Sequence, residues 1–185
     1  DFIYSVALDG SDVMIIYPKK DSLDDGCEIT GLRDISRDGN WILFNQNCRN
    51  ETLAYIIKTD GSEVKKIHTG EGLLFSPDGK LIVIRSQVPF KKSSTVAIVN
   101  LEGNFVYFWG DEVAPGHYPS HFSSDGKMII MLTENNYYYG VALETGQAAQ
   151  DYNIPQGIPS PDGKKILKKK IPDFQIANAD GSNVH

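Results

Sequence analysis

The chain has 185 residues, 41% of them apolar, and its 18 basic and 24 acidic residues give a formal net charge of −6. This balance argues against nucleic acid as a partner, because proteins that bind DNA or RNA usually carry a basic patch or stripe. No apolar run approaches the ~18 residues that a membrane-spanning helix requires, so the sequence predicts no insertion into a bilayer.

The first element predicted in chain order is a two-stranded hairpin within residues 1–20. Two apolar segments, Phe2–Leu8 and Val13–Tyr17, flank an Asp-Gly pair at positions 9 and 10. Asp-Gly between alternating apolar residues is a strong hairpin signal, because Gly adopts positive φ without strain and Asp tolerates it. Variants of this turn return near Gly61, Gly103, Gly146 and Gly181.

A second turn, Ser-x-Asp-Gly, recurs four times after the hairpin, and its aspartates are 40, 47 and 37 residues apart. Each copy leads into an apolar strand, and a second strand follows after a gap. Gly or Pro interrupts the chain roughly every ten residues, which disfavours helices. Four-stranded units at this period are typical of β-propeller blades. The four copies are Ser36–Gly39, Ser76–Gly79, Ser123–Gly126 and Ser160–Gly163.

We name the strands of each blade A to D, from the central channel outward. Ser-x-Asp-Gly then closes the A–B pair, and the Asp-Gly-Ser type of turn closes the C–D pair. The sequence predicts one all-β propeller over residues 1–185, in which a C–D hairpin (1–20) precedes four full blades. Because one A–B pair is then missing, we expect the chain to belong to a larger propeller, with the missing surface supplied by further blades of the same chain or by another subunit. The blades are predicted at about 30–69, 70–110, 117–152 and 155–185.

The repeat is clearest over residues 53–85, which contain Ile-x-x-Asp-Gly-Ser and then Phe-Ser-Pro-Asp-Gly-Lys-x-Ile. This pattern resembles the WD-like repeat of the TolB-like β-propeller family. The resemblance implies a non-enzymatic module that binds another protein, located in the periplasm or outside the cell. The same repeat also serves enzymes, so two alternatives stay open. One is the propeller of a carbohydrate-active lyase with a His-bound metal, and the other is the propeller segment of a prolyl-oligopeptidase-like enzyme.

Binding residues are expected on the side of the blades that carries the B–C and D–A connections, which we call the loop face. The A–B and C–D turns lie on the opposite side, the turn face, and are short and uniform. Variable connections on a rigid scaffold are where binding residues concentrate. The loop-face segments Asn45–Glu51, Gln87–Ser94 and Gly110–Pro119, with the strand that follows, supply the candidates Arg49, Lys91, Lys92, His117, Tyr118 and His121.

His117 and His121 are the candidates for chemistry, since they flank Tyr118-Pro119-Ser120 where an A strand begins. Lyases that resemble this repeat hold a metal with several histidines and a glutamine in that region. Two histidines without a third ligand make a poor catalytic metal site, so we predict no catalytic residue and no cofactor. The sequence also contains no Gly-x-Ser-x-Gly elbow, Walker loop or Cys-x-x-Cys pair, and peptide hydrolysis would therefore need a separate domain.

Cys27 and Cys48 are predicted to form a disulfide. If Ser36–Gly39 is the A–B turn, the numbers of paired residues sum to about 75, and 27 and 48 also sum to 75. Residues facing each other across a strand pair have Cβ atoms ~4.5–5.5 Å apart, within reach of a bridge. Such a bridge would stabilise the fold by roughly 3 kcal/mol and would imply an oxidising compartment. The alternative is two reduced cysteines in the core.

Overall fold

The computed structural model describes residues 2–18, 26–87, 94–109, 118–123, 125–133, 138–143, 158–159, 165–170 and 173–178. In these ranges every helix or strand is a β-strand, and all strand pairs are antiparallel. They contain no helix that is long and apolar enough to cross a bilayer. The chain divides into two compact units, Asp1–Phe108 and Trp109–His185, and the assignment of residues 1–185 to a single domain stays a prediction.

The first unit contains the hairpin and two four-stranded sheets, which are blades 1 and 2. Sheet order follows chain order in both blades, so each A strand is an edge strand. The hairpin is β1 (Ile3–Ser5) and β2 (Met14–Tyr17). Blade 1 is β3 (Cys27–Ile35), β4 (Trp41–Cys48), β5 (Glu51–Lys58) and β6 (Val64–Thr69). Blade 2 is β7 (Glu71–Phe75), β8 (Leu81–Gln87), β9 (Ser94–Asn100) and β10 (Phe105–Trp109).

The second unit contains two sheets, and three strands of each lie in the described residues. These strands correspond to A, B and C of blades 3 and 4, and they confirm the predicted all-β propeller architecture. Blade 3 is β11 (Tyr118–Phe122), β12 (Met128–Leu132) and β13 (Tyr138–Ala142). Blade 4 is β14 (Ile158–Pro159), β15 (Lys165–Lys170) and β16 (Asp173–Asn178).

The A–B turns repeat one hydrogen-bond set, shown here for blade 1. The Ser36 amide donates to the Trp41 carbonyl at 2.8 Å, and the Ser36 hydroxyl donates to the Asp38 carboxylate at 2.6 Å. The Trp41 amide donates back to the Ser36 hydroxyl at 2.9 Å. These bonds satisfy the turn internally, and the Ser36 hydroxyl is the largest cause of the lowered pKa of Asp38. The same set recurs around Ser76 and Ser123.

The predicted pairing of Cys27 with Cys48 is confirmed, and a disulfide joins them across a Cα–Cα distance of 4.2 Å. The register near the turn differs from the prediction, because Ile35 pairs with Ile42 and the numbers there sum to 77. Two bulges in β3, at Thr30 and Arg33, each place an extra residue on that strand and restore the sum of 75 at the cysteines.

Strand β4 packs against a different neighbour on each face. Ile42 and Phe44 point toward the hairpin, whereas Leu43 points toward blade 2. Successive side chains of a strand alternate between faces, so a central strand covered on both sides is buried almost throughout. The hairpin interface is completed by Ile3, Ile16, Tyr17 and Ile57, and the blade 2 interface by Ala54, Ile56, Ile67, Phe75, Ile82, Ile84, Ala97 and Val99.

The hairpin packs on blade 1 as blade 1 packs on blade 2. A Cβ added to Gly61, in the C–D turn of blade 1, would come within 3.0 Å of the Ile16 carbonyl oxygen in the hairpin. A Cβ on Gly103, in the C–D turn of blade 2, would clash with the Ile67 carbonyl oxygen in blade 1. Because Ile16 and Ile67 make equivalent contacts, the hairpin packs on blade 1 in the manner of a C–D strand pair, and its assignment as the C and D strands of a blade stays a prediction.

One loop-face segment is much shorter than expected. The sequence suggested a variable connection over Asn45–Glu51, but β4 continues to Cys48, and the connection is only Arg49 and Asn50. Both residues have positive φ, 52° and 69°, as in the tight two-residue turns that match strand twist. The polar run looked like a loop because its buried members obtain their hydrogen bonds from distant parts of the chain.

Candidate functional site

The predicted loop-face residues are described in part. Arg49 lies at the exposed tip of the B–C turn of blade 1, next to the disulfide at Cys48. Tyr118 begins the A strand of blade 3 and is 46% exposed. His117, Lys91 and Lys92 lie outside the described residues, so their part in a site stays a prediction.

His121 lies near the turn-face end of β11, where it pairs with Ile130. The strand bulges at Ser120, whose hydroxyl oxygen is 3.1 Å from the His121 Nδ1 atom. Burial holds the pKa of His121 below its ordinary value of 6.5, which favours the neutral imidazole at neutral pH. The described residues contain no group of three or more His, Cys, Asp or Glu side chains arranged to hold a metal ion.

A charged cluster that the sequence analysis did not foresee joins the inner strands of blades 1 and 2. Glu71 begins β7, and its carboxylate accepts hydrogen bonds from Arg33 on β3 and from Arg85 on β8. The three side chains are partly desolvated, with exposures of 18% for Glu71, 32% for Arg85 and 37% for Arg33. We call this group the Arg33–Glu71–Arg85 cluster; it reaches the loop face where Glu71 follows the D–A connection at Gly70.

A β-bulge aims Arg33 at the neighbouring blade. In the ladder between β3 and β4, Leu32 pairs with Phe44 and Asp34 pairs with Leu43, so Arg33 is the extra residue. An extra residue leaves the regular alternation of the strand and redirects its side chain, which is a recurrent device next to functional sites. The equivalent residues of blades 2 and 3, by the same register, are Leu73 and Ser120. Only the bulge of blade 1 therefore carries a cation in the described strands.

Side chains of blade 1 fix the strand that carries Glu71. The buried Asn45 amide accepts a hydrogen bond from the Gly72 amide at 2.9 Å and donates one to the Gly72 carbonyl at 3.2 Å. Farther along β7, the Phe75 amide donates to the Asp34 carboxylate at 2.8 Å. Since three bonds hold the backbone of β7 against blade 1, the carboxylate of Glu71 is positioned on a rigid element.

The strand around Arg33 exposes apolar side chains. Leu32 is 59% exposed and Ile35 is 58% exposed, although both belong to an edge strand of an otherwise well-packed blade. Single exposed apolar residues are ordinary, but here two of them flank a positioned arginine, a residue type that is enriched at protein interfaces. The inner strand of blade 1 thus presents an apolar and cationic surface.

The sequence held a weak signal for this surface. Arg33 and Asp34 stand between apolar residues in a strand, and Glu71 stands between two glycines. Arg33 and Glu71 are 38 residues apart in the chain, so their contact could not be predicted from the sequence. The contact depends on how blades 1 and 2 pack and on the bulge at Arg33, which no turn motif indicates.

No protein-family model matches this chain, and no curated protein matches its sequence. Solved structures do match its fold. TolB from Acinetobacter baumannii superposes with a TM-score of 0.67 at 14% identity, over 98% of this chain and 47% of that chain. An oligogalacturonate lyase in complex with manganese gives a TM-score of 0.66 at 12% identity, over 100% and 58%. The β-propeller domain of the Trilobed protease from Pyrococcus furiosus gives 0.64 at 16% identity, over 98% and 60%.

These likenesses confirm the predicted resemblance to TolB-like propellers at the level of the fold. The chain spans about half to three fifths of the length of these structures. TolB, a lyase and a protease share the architecture, so the activity has to be argued from the residues of this chain.

Proposed function

We propose that this chain is a non-enzymatic β-propeller module that binds another protein through its loop face and the inner strand of blade 1. The observation that carries the proposal is the exposure of Leu32 and Ile35 beside Arg33, on a strand held rigidly by its neighbours. Arginine and apolar residues on a preorganised surface bind protein with little loss of conformational freedom. Arg49 extends the candidate surface at the loop face of the first unit, and Tyr118 is a separate candidate in the second unit.

We also propose that the protein acts outside the cytoplasm, in the periplasm or extracellularly. The supporting observation is the disulfide between Cys27 and Cys48, since such bonds persist in oxidising compartments. The likeness to TolB is compatible with this location.

The proposal is tested by affinity capture with matched charge reversals on the two faces. Arg49→Glu alters the loop face, and Lys80→Glu makes the same kind of change in an A–B turn on the turn face. If the loop face binds the partner, Arg49→Glu weakens capture from extracts of the producing organism, and Lys80→Glu does not. Equal capture by both variants and the parent protein would count against a loop-face interface.

A second candidate function is that of a lyase propeller, which the manganese-bound oligogalacturonate lyase among the similar structures favours. His121 would then have to bind metal together with His117. Metal analysis of the purified protein separates the candidates: stoichiometric zinc or manganese that is lost in His117→Ala would favour the lyase and contradict the binding module. Absorbance of unsaturated products from polygalacturonate supplies an independent assay.

A further inference from the structure

We infer that the Arg33–Glu71–Arg85 cluster recognises a carboxylate in an acidic peptide segment of the partner, and that Leu32 and Ile35 receive an apolar side chain next to that carboxylate. The inference rests on the proposed function and specifies the chemistry of the partner. It arises from the position of Arg33, which is the most exposed cation of the cluster and projects from a bulge.

The cluster orients a guanidinium for carboxylate recognition. Arg33 uses its Nη2 atom toward Glu71, and a guanidinium carries five N–H donors in a planar fork that matches a carboxylate. Glu71 also accepts from Arg85, so its single charge is shared by two cations. The three side chains together carry one net positive charge, in contrast to the net charge of −6 for the whole chain.

Asp34 is the nearest carboxylate along the strand, and its hydrogen bonds direct it away from a ligand. One of its oxygens accepts from the Ile35 amide at 2.8 Å and the other from the Phe75 amide at 2.8 Å. Both of its oxygens thus accept hydrogen bonds from backbone amides, one in β3 and one in β7. The cation of Arg33 and the carboxylate of Asp34 consequently serve different partners.

The shape of β3 favours recognition through side chains. Bulges at Thr30 and Arg33 interrupt the regular spacing of this edge strand, and bulged edges are poor templates for adding another strand. A peptide that crosses β3 would therefore be bound by the guanidinium and by the two apolar side chains. Acidic residues that alternate with leucine-like residues fit this surface.

The experiment uses a phage-displayed library of random linear dodecapeptides, selected on the whole protein and in parallel on Arg33→Gln. Selection on the parent protein is expected to enrich Asp or Glu beside Leu, Ile or Phe, and selection on the variant is not. One enriched peptide is then synthesised with a fluorescent label, and its Kd is measured by anisotropy. Arg33→Gln should weaken binding about tenfold, the scale of one charge-assisted hydrogen bond, and Lys80→Gln on the turn face should leave Kd unchanged.

The Glu71→Gln variant distinguishes peptide recognition by the cluster from a role in which the cluster only holds blades 1 and 2 together. The amide keeps nearly the same shape but removes the competing negative charge, so the acidic peptide should bind several-fold more tightly even if the melting temperature falls. A structural tie alone predicts weaker binding or none. Arg33→Lys serves if Arg33→Gln does not fold, because it keeps the charge without the planar fork and should give an intermediate loss.

The outcomes distinguish this inference from the proposed function. Enrichment without acidic residues, no enrichment at all, or equal binding by Arg33→Gln would overturn the acidic-peptide inference, while partner capture that depends on Arg49 would still support the binding module. Trigalacturonate is titrated as a competitor. If it displaces the peptide and binds directly in an Arg33-dependent manner, the ligand is an acidic sugar and the inference is wrong.

Discussion

The two interfaces of blade 1 differ in how they combine apolar packing with hydrogen bonds. Toward blade 2, Asn45 makes two hydrogen bonds to the backbone of Gly72, and Asp34 adds a third to Phe75. Toward the hairpin, the neighbouring Gln46 makes one side-chain hydrogen bond, to the Tyr17 hydroxyl at 3.1 Å. Both interfaces bury aliphatic side chains, so the difference lies in their polar contacts.

Apolar packing and hydrogen bonds therefore make different contributions to the contacts of blade 1. Apolar burial is nonspecific in direction and holds blades together even when they slide slightly, whereas bonds to backbone atoms fix one register. The contact that carries more directional bonds is also the one that supports the Arg33–Glu71–Arg85 cluster. We therefore expect blade 1 to tolerate change at the hairpin better than at blade 2.

The largest change in the free energy of unfolding is expected from alanine at Gly103, and Gly61 is the equivalent glycine for comparison. Gly103→Ala would place its Cβ against the Ile67 carbonyl oxygen in a left-handed conformation with φ 82°. Overpacking and φ strain together should lower the free energy of unfolding by about 3–5 kcal/mol. Gly61 has a φ of 71° but approaches the hairpin less closely, so Gly61→Ala should lower the free energy of unfolding clearly less. Urea unfolding of both variants measures the difference, and equal losses would contradict the closer approach of Gly103 to the preceding blade.

The next effect concerns two neighbouring buried side chains. Asn45→Leu leaves the Gly72 amide and carbonyl without their partner, which should lower the free energy of unfolding by about 2–4 kcal/mol. Gln46→Met removes the single bond to Tyr17 and should lower it by about 1 kcal/mol. Tyr17→Phe tests the same bond from its other end. If Gln46→Met proved as damaging as Asn45→Leu, the hairpin would be as closely registered as blade 2.

The disulfide stabilises a single blade, so its contribution to the free energy of unfolding can be compared with the contributions of the contacts between blades. Replacing Cys27 and Cys48 together by serine should lower the free energy of unfolding by about 3 kcal/mol, mainly because the unfolded chain gains freedom. That contribution should leave the difference between Asn45→Leu and Gln46→Met unchanged when both variants are measured in the serine background. Two titratable thiols in the unreduced, denatured parent protein would show that the bond does not form.

The smallest effect extends the comparison to blade 3, where His121 occupies the position that Asp34 holds in blade 1. Burial lowers the pKa of His121 in the folded protein, so the unfolded chain binds its proton first as the pH falls. The contribution of the neutral side chain to stability is full above pH 6.5 and decreases as the pH falls below that value. Melting temperatures from pH 7.5 to 5 should show a steeper acid loss for the parent protein than for His121→Gln. Parallel curves would indicate that His121 is not buried.

The sequence predicted the blades because each A–B turn in the described residues forms its hydrogen bonds within six residues, as between Ser36 and Trp41. The cysteine pairing was also predicted correctly, although the register argument contained two compensating errors. The turn holds two more residues than assumed, and the bulges at Thr30 and Arg33 cancel that offset. Neither bulge was predicted from the sequence, so the agreement at Cys27 came from two errors that cancel.

The candidate site was less accessible from the sequence for a related reason. Asn45 was expected in a loop, and Arg33 belonged to no motif that singled it out. Their roles depend on Gly72 and Glu71, which are 27 and 38 residues away in the chain. A polar residue in a strand becomes informative only when its partner is known, and periodicity describes one strand at a time.

Gly61 packs against Ile16 as Gly103 packs against Ile67, and this equivalence bears on how a gene for repeated blades can grow by duplication. The same relation links the C–D turns of blades 1 and 2 to the element that precedes each of them, so a gene segment that encodes one such blade can be copied in frame and its product meets a matching surface. The Asn45 contact is not repeated in the other blades, because the equivalent positions of blades 2 and 3 are Arg85 and Leu132. The turn-to-carbonyl contact could therefore be reproduced by copying one unit, whereas the Asn45 contact requires residues that only blades 1 and 2 supply among the described residues.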